Sequence, residues 1–168
     1  MCQKRAGLLA GREKQQYNAF RNWVWQHVDG LWNVLGTRWV LFGEWLWQTH
    51  AVYYDALPSF FVAVDLLARA SGRFSASAAV NEAARGVLSV VPELSRGRIG
   101  SAEELSSLIP TFLVRSAFAS GPPEGVYIRF ERRGELVARA KCRRPGFVPG
   151  WSGKPRLNRL ANSEDRAR

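Results

Sequence analysis

The chain has 168 residues, 46% of them apolar, and a formal net charge of +10. That suffices for one ordinary domain with its own core and is too apolar for a disordered chain. No run approaches the roughly 18 unbroken apolar residues of a membrane helix, and Cys2 and Cys142 give neither a disulfide framework nor a metal spacing, so the expectation is a reduced, cytoplasmic, monomeric protein with no membrane segment.

The basic start, MCQKRAGLLAGREK, holds an apolar stretch only over 6–10, interrupted by glycine and too short for a signal peptide. From 11 to 35 the pattern is helical: Tyr17, Phe20, Val24, Val28, Leu31 and Leu35 recur at steps of three and four, and Gly36 is a plausible stop. Trp23, Trp25 and Trp32 widen the apolar surface beyond one stripe. The period then changes. Residues 38–47 (RWVLFGEWLW) and 59–67 (SFFVAVDLL) are short, aromatic and β-branched, the pattern of strands buried on at least one face. Between them lies the irregular QTHAVYYDALP.

Residues 71–74 predict a turn into a short strand, and 77–85 and 101–109 predict helices, the second opened by a capping box of Ser101 and Glu104. A short strand is expected over 87–91, and a hairpin over 126–131 and 136–141 around Arg132, Arg133 and Gly134. Beyond Pro145 the chain is rich in Gly, Pro and Arg without a sustained period. The fold class expected is α+β with a mostly antiparallel sheet and flanking helices.

Charge is uneven: residues 1–14 carry net +3, residues 15–128 net −1 and residues 129–168 net +8. A basic end attracts polyanions, because neutralising phosphates releases condensed counterions; the alternative is a tail that only keeps the protein in solution.

Three carboxylates stand out by position. Glu44 lies inside VLFGEWLW, Asp65 inside FFVAVDLL, and Glu124 heads EGVYIRF. A carboxylate buried without a partner is expensive, so each should meet water, a cation or a cleft. With Lys141 at the end of the next strand, the three together point to a shared polar cleft suited to a metal-bound, phosphate-bearing ligand.

The ordered strings VLFGEWLW, H-x-V-x-Y-D-x-L-P, FFVAVDLL, EGVYIRFE and VARAKCRRPGF resemble the motifs of ATP-dependent RNA ligases in the covalent nucleotidyltransferase superfamily, over roughly residues 3–160. The resemblance implies an adenylation domain over 1–145 with a basic extension over 146–168. It implies ATP and Mg²⁺ (or Mn²⁺) as cofactors, and RNA 5′-phosphate and 3′-hydroxyl ends as substrates to be joined.

It also implies roles for single residues. Arg5 matches the arginine of the motif just after the nucleophile, and Glu44 the carboxylate that binds the ribose hydroxyls. Asp65 lies in the motif whose aromatic member stacks on adenine; Val64 stands where the family usually has Phe, and Phe61, three residues earlier, is the aromatic candidate. Glu124 matches the metal-linked glutamate, and Arg139 and Lys141 the two alternating basic residues, with Lys141 reaching the α-phosphate. His50 falls where the family often has His, and a hydrogen-bonded structural group is the simpler reading of it.

In that family a Lys-x-(Asp/Glu)-Gly motif supplies the lysine that takes up AMP. Here the sole Lys-x-x-Gly is Lys4-Arg5-Ala6-Gly7, which lacks the acid, so Lys4 is read as a bystander and the chain is expected to begin after the nucleophile and to be inactive alone. A non-catalytic nucleotide- or RNA-binding remnant is the second reading. A plain structural domain is the third, and the order of Glu44, Asp65, Glu124 and Lys141 argues against it.

Overall fold

The computed structural model describes the backbone of residues 3–4 and 7–8, together with residues 15–150 and 156–161. Strands β1 (Gln3–Lys4) and β2 (Gly7–Leu8) form a small antiparallel pair. Where one helix is expected there are two, α1 (Gln15–Gln26) and α2 (Val28–Leu35). The break falls at His27, whose backbone (φ −114°, ψ 14°) leaves the helix while its Nδ1 lies 2.7 Å from the Trp23 carbonyl. The change of direction alters the apolar stripe. Phe20 and Trp23 pack on the sheet, with Trp23 5.0 Å from the Phe61 ring, whereas Trp25, Val28 and Trp32 are exposed.

Strands β3 (Trp39–Trp45) and β4 (Phe61–Ala68) pair antiparallel, and β4 carries much of the core through Phe61, Val62, Ala63 and Leu66. Along the far edge of β4, β5 (Arg73–Phe74) pairs antiparallel and β6 (Ser89–Val90) pairs parallel. Helix α3 (Ser77–Ala84) connects these two short strands and buries Val80 and Ala84. Helix α4 (Ala102–Leu108) begins as the capping pattern predicts: the Ser101 hydroxyl accepts the Glu104 N–H at 3.1 Å, and the Glu104 carboxylate accepts the Gly100 N–H at 2.7 Å. A 3-10 turn, Ile109–Leu113, follows it, and the hairpin β7 (Gly125–Arg132) and β8 (Glu135–Arg143) completes the body.

The fold is therefore α+β, and among the named strands of the described residues the pairing is antiparallel except at β4–β6. The hairpin turn is Arg133-Gly134, with φ of 52° and 81°. Two consecutive positive φ values match the right-handed twist of the flanking strands, and glycine adopts them without strain. The hairpin is fastened to the sheet edge by the Ala76 N–H donating to Gly134 O at 2.9 Å and by an Arg73–Glu135 ion pair at 2.9 Å.

A bulge in β4 decides which side chains share a face. Phe42 pairs with Asp65 but its neighbour Gly43 pairs with Ala63, leaving Val64 as the extra residue. Side chains alternate along a strand, so an added residue shifts their phase. Beyond Val64, Phe61 and Ala63 share a face with Trp45, turned to α1; Asp65 shares the opposite face with Phe42, turned to the hairpin. Gly43 permits this close packing. A Cβ there would lie 2.6 Å from Val62 O and would overlap the Phe61 ring.

Candidate functional site

The site is built where that face of β3–β4 meets one face of the β7–β8 hairpin. Tyr127, Arg129 and Glu131 follow one another along β7. In register with them on β8, Lys141 stands opposite Tyr127 and Arg139 opposite Arg129. Two guanidinium groups directly across a ladder would repel, and a carboxylate between them resolves this.

Asp65 is that carboxylate, and it is only 2% exposed. It accepts from Tyr127 Oη at 2.9 Å, from Arg139 Nη1 at 3.3 Å, and from Arg129 Nη1. Arg129 extends the knot. Its Nη2 donates to Ser75 O at 2.7 Å and its Nε to Glu131 Oε1 at 2.7 Å, and Glu131 in turn accepts the Ser77 N–H at 2.8 Å. Burial works against the charge on Arg129, but its bonds to Glu131 and Asp65 outweigh burial and raise its pKa. Burial likewise disfavours ionised Glu131, yet Arg129 and Ser77 together hold its carboxyl below the usual range. Tyr127 is pushed up, first by burial and further by Asp65, with Arg139 opposing.

The second cluster is more open. Lys141 Nζ lies 2.6 Å from Glu124 Oε1, with Arg143 Nε at 3.8 Å from the same oxygen. Both cations are about half exposed, at 51% and 57% of their side chains. Glu44 is exposed at the end of β3. Tyr54, in the irregular segment after β3, stands in the field of both acids: burial raises its phenol pKa, and the charges of Glu124 and Glu44 add to the rise.

Each glutamate sits beside a glycine that packing requires. Gly43 precedes Glu44 where β3 crosses the bulge. Gly125 follows Glu124, and a Cβ on it would lie 2.9 Å from Arg143 Cα and overlap Cys142 O. The GE and EG pairs of the sequence are places where two backbones come too close for any larger residue.

The remaining candidates lie elsewhere. Phe61 is 7% exposed, its ring held among Phe20, Trp23 and Trp45 on the opposite face of the sheet. His50 is exposed. Arg5 lies outside the described residues, and of Lys4 only the backbone is described, paired with Gly7. Two surface hollows, one beside Trp23, His27 and Val87, the other beside Ile109, Leu113 and Cys142, are lined by none of Glu44, Asp65, Glu124 or Lys141.

The family model for RNA ligases matches residues 1–143. The chain belongs to the RNA ligase family. Comparison with curated proteins and with solved structures gives no match. The family match ends at Arg143, the last residue of β8, so it spans both clusters of this RNA ligase domain and stops before residues 156–161.

Sequence reasoning passed over Arg129, Glu131 and Tyr54 as individual residues. For Arg129 no local signal existed: the two-residue turn alone would set it opposite Ala138, and the extra residue Val137 in β8 moves it opposite Arg139. Among the described residues no helix is long and apolar enough to cross a membrane.

Proposed function

We propose that this domain binds an adenine nucleotide and RNA ends as the body of an ATP-dependent RNA ligase of the covalent nucleotidyltransferase superfamily. The observation that carries this reading is the open Lys141–Glu124 pair on the hairpin. An ion pair that is about half exposed gains little stability from its contact. It keeps both groups in place and free to exchange partners.

Each group then has one task. Glu44, an acceptor-only carboxylate, takes the ribose hydroxyls. Lys141 and Arg143 face the phosphates; Arg139, tied to Asp65, holds the wall behind them. Glu124 is the carboxylate that turns to a divalent ion carried by the nucleotide. Among the described residues no group of three or more His, Cys, Asp or Glu could hold a metal alone. One carboxylate together with substrate phosphates suits Mg²⁺, which keeps most of its waters. When bound, such an ion offsets charge on the phosphates. Phe61 is left without a stacking role in this reading, since its ring packs against Phe20 and Trp23 on the face turned to α1. Arg5 is reserved for the RNA end, as the resemblance implies.

A second reading, a binding module without catalysis, is favoured by one observation: none of the 168 residues forms a Lys-x-(Asp/Glu)-Gly motif. Incubation with labelled ATP and Mg²⁺ separates the two. The account expects no covalent label on this chain, and a labelled band at its own mass would contradict that and implicate Lys4.

Equilibrium binding of ATP with Mg²⁺ tests the cleft itself. Glu44→Ala and Lys141→Ala should each weaken binding about 10- to 100-fold, the range expected for a charged hydrogen bond. Affinity for a 5′-phosphorylated RNA should fall steeply with added salt. Equal ATP binding by the wild type and Glu44→Ala counts against the reading.

A further inference from the structure

An irregular segment has no ladder of its own, so its backbone groups must find partners elsewhere. Residues 46–57 find many of theirs in residues 156–161. The Thr49 N–H donates to Arg156 O at 2.8 Å, the Asn158 N–H to Trp47 O at 3.1 Å, the Arg159 N–H to Tyr54 O at 2.9 Å and the Leu57 N–H to Arg159 O at 2.9 Å. The Arg156 guanidinium lies 3.6 Å from the centre of the Tyr53 ring, a cation–π contact.

Asn158 is the centre of this seam and is 4% exposed. Its Oδ1 accepts from Thr49 Oγ1 at 2.9 Å and from the Tyr54 N–H at 3.0 Å, and its Nδ2 donates to Leu46 O at 2.8 Å. One side chain thereby joins three points of the segment, the first of them two residues after Glu44. A buried amide so fully satisfied specifies one arrangement, because any slip leaves polar atoms unpaired.

The far side of the segment reaches the other glutamate. The Ala56 N–H donates to Phe118 O at 3.1 Å, and Asp55 accepts from the Ser120 N–H at 3.1 Å and from the Ser120 hydroxyl. Residues 118–120 lead directly into Glu124. Segment 46–57 therefore spans from Glu44 to Glu124, and residues 156–161 close over it.

We propose that residues 156–161 are a strap and that Asn158 is a positioning residue, fixing the separation of Glu44 and Glu124 across the nucleotide cleft. This rests on the reading of that cleft given above. The strap lies beyond the region the family model matches, so it adds a structural element to the ligase body.

The test uses the full chain and two probes. ATP with Mg²⁺ engages both ends of the cleft, whereas adenosine meets the Glu44 end alone. In Asn158→Ala, ATP affinity should fall about tenfold, within reach of the hydrogen bonds removed, while adenosine affinity should change less than about twofold. Amide exchange at Thr49, Tyr54 and Leu57 should accelerate in the same variant. Wild-type ATP affinity in folded Asn158→Ala, or an equal loss for ATP and adenosine, overturns the strap. Should Asn158→Ala not fold, Thr49→Val removes one hydroxyl from the same seam; the ATP-to-adenosine ratio should fall severalfold, and an unchanged ratio overturns the proposal. The two readings fail differently: no ATP binding by the wild type refutes the cleft and the strap together, whereas binding lost in Glu44→Ala but kept in Asn158→Ala refutes the strap alone.

Discussion

Asp65 and Glu44 stand on the same face of neighbouring strands, yet Asp65 is 2% exposed and bound by Arg129, Arg139 and Tyr127, while Glu44 stands in solvent. Each is an acid inside an apolar strand, and the sequence pattern does not separate them. The cations opposite do. Arg129 and Arg139 face each other in the hairpin and close on Asp65, so that carboxylate is consumed in holding two layers together. Among the described residues no such pair stands before Glu44, which is exposed. In the function proposed above, the closed cluster would build the wall of the site and the open one offer the binding groups.

Breaking the closed cluster should have the largest effect. Asp65→Ala breaks the buried ion pair with Arg129, whose side chain is 13% exposed, and leaves Glu131 as its remaining carboxylate partner. The cost is about 3–5 kcal/mol, a large part of an ordinary domain's stability, and a urea titration would register it as a lowered midpoint. A midpoint near that of the wild type would mean Asp65 is as dispensable as a surface acid.

Gly43→Ala strikes the crossing between the clusters. The added methyl meets Val62 O and the Phe61 ring, and overpacking of this kind costs about 1–3 kcal/mol. Glu44 is its neighbour, so ATP affinity should fall together with thermal stability. A stable variant with unchanged affinity would show that the bulge does not place Glu44.

A smaller effect comes from pH. Folding lowers the Glu131 pKa through its bonds to Arg129 and Ser77, so the folded protein binds fewer protons than the unfolded chain in that range. The resulting stability is complete above the ordinary glutamate value of about 4.3 and is lost as pH falls through the folded-state value. Thermal midpoints of the wild type and Glu131→Gln should differ at neutral pH and converge in acid. A gap independent of pH would assign the difference to packing instead.

The smallest expected change in stability is at the open rim. Glu44→Gln should alter it by no more than about 0.5 kcal/mol, which calorimetry can bound.

Much of the fold was legible because local chemistry carries it. The strands around Glu44 and Asp65, the cap of Ser101 with Glu104 and the turn at Arg133-Gly134 each follow from a few adjacent residues. The structure also brings together Asp65 with Arg139 and Glu124 with Lys141. What was not legible depends on partners distant in the chain. The extra residue at Val64, which sends Phe61 to the helix side, is a register event set by β3 rather than by β4 alone. The helix break at His27 rests on one ring nitrogen meeting one carbonyl. Asn158 lies in a stretch without periodicity, and its side-chain partners Leu46, Thr49 and Tyr54 are more than a hundred residues away.

The most direct test of the division between wall and rim is a paired measurement on Asp65→Asn and Glu44→Gln, each assayed for thermal midpoint and for ATP affinity in the presence of Mg²⁺. The account predicts a crossed result: Asp65→Asn melts well below the wild type, while Glu44→Gln melts with the wild type and binds ATP at least about tenfold more weakly. Wild-type affinity in Glu44→Gln, or a wild-type midpoint in Asp65→Asn, would contradict it.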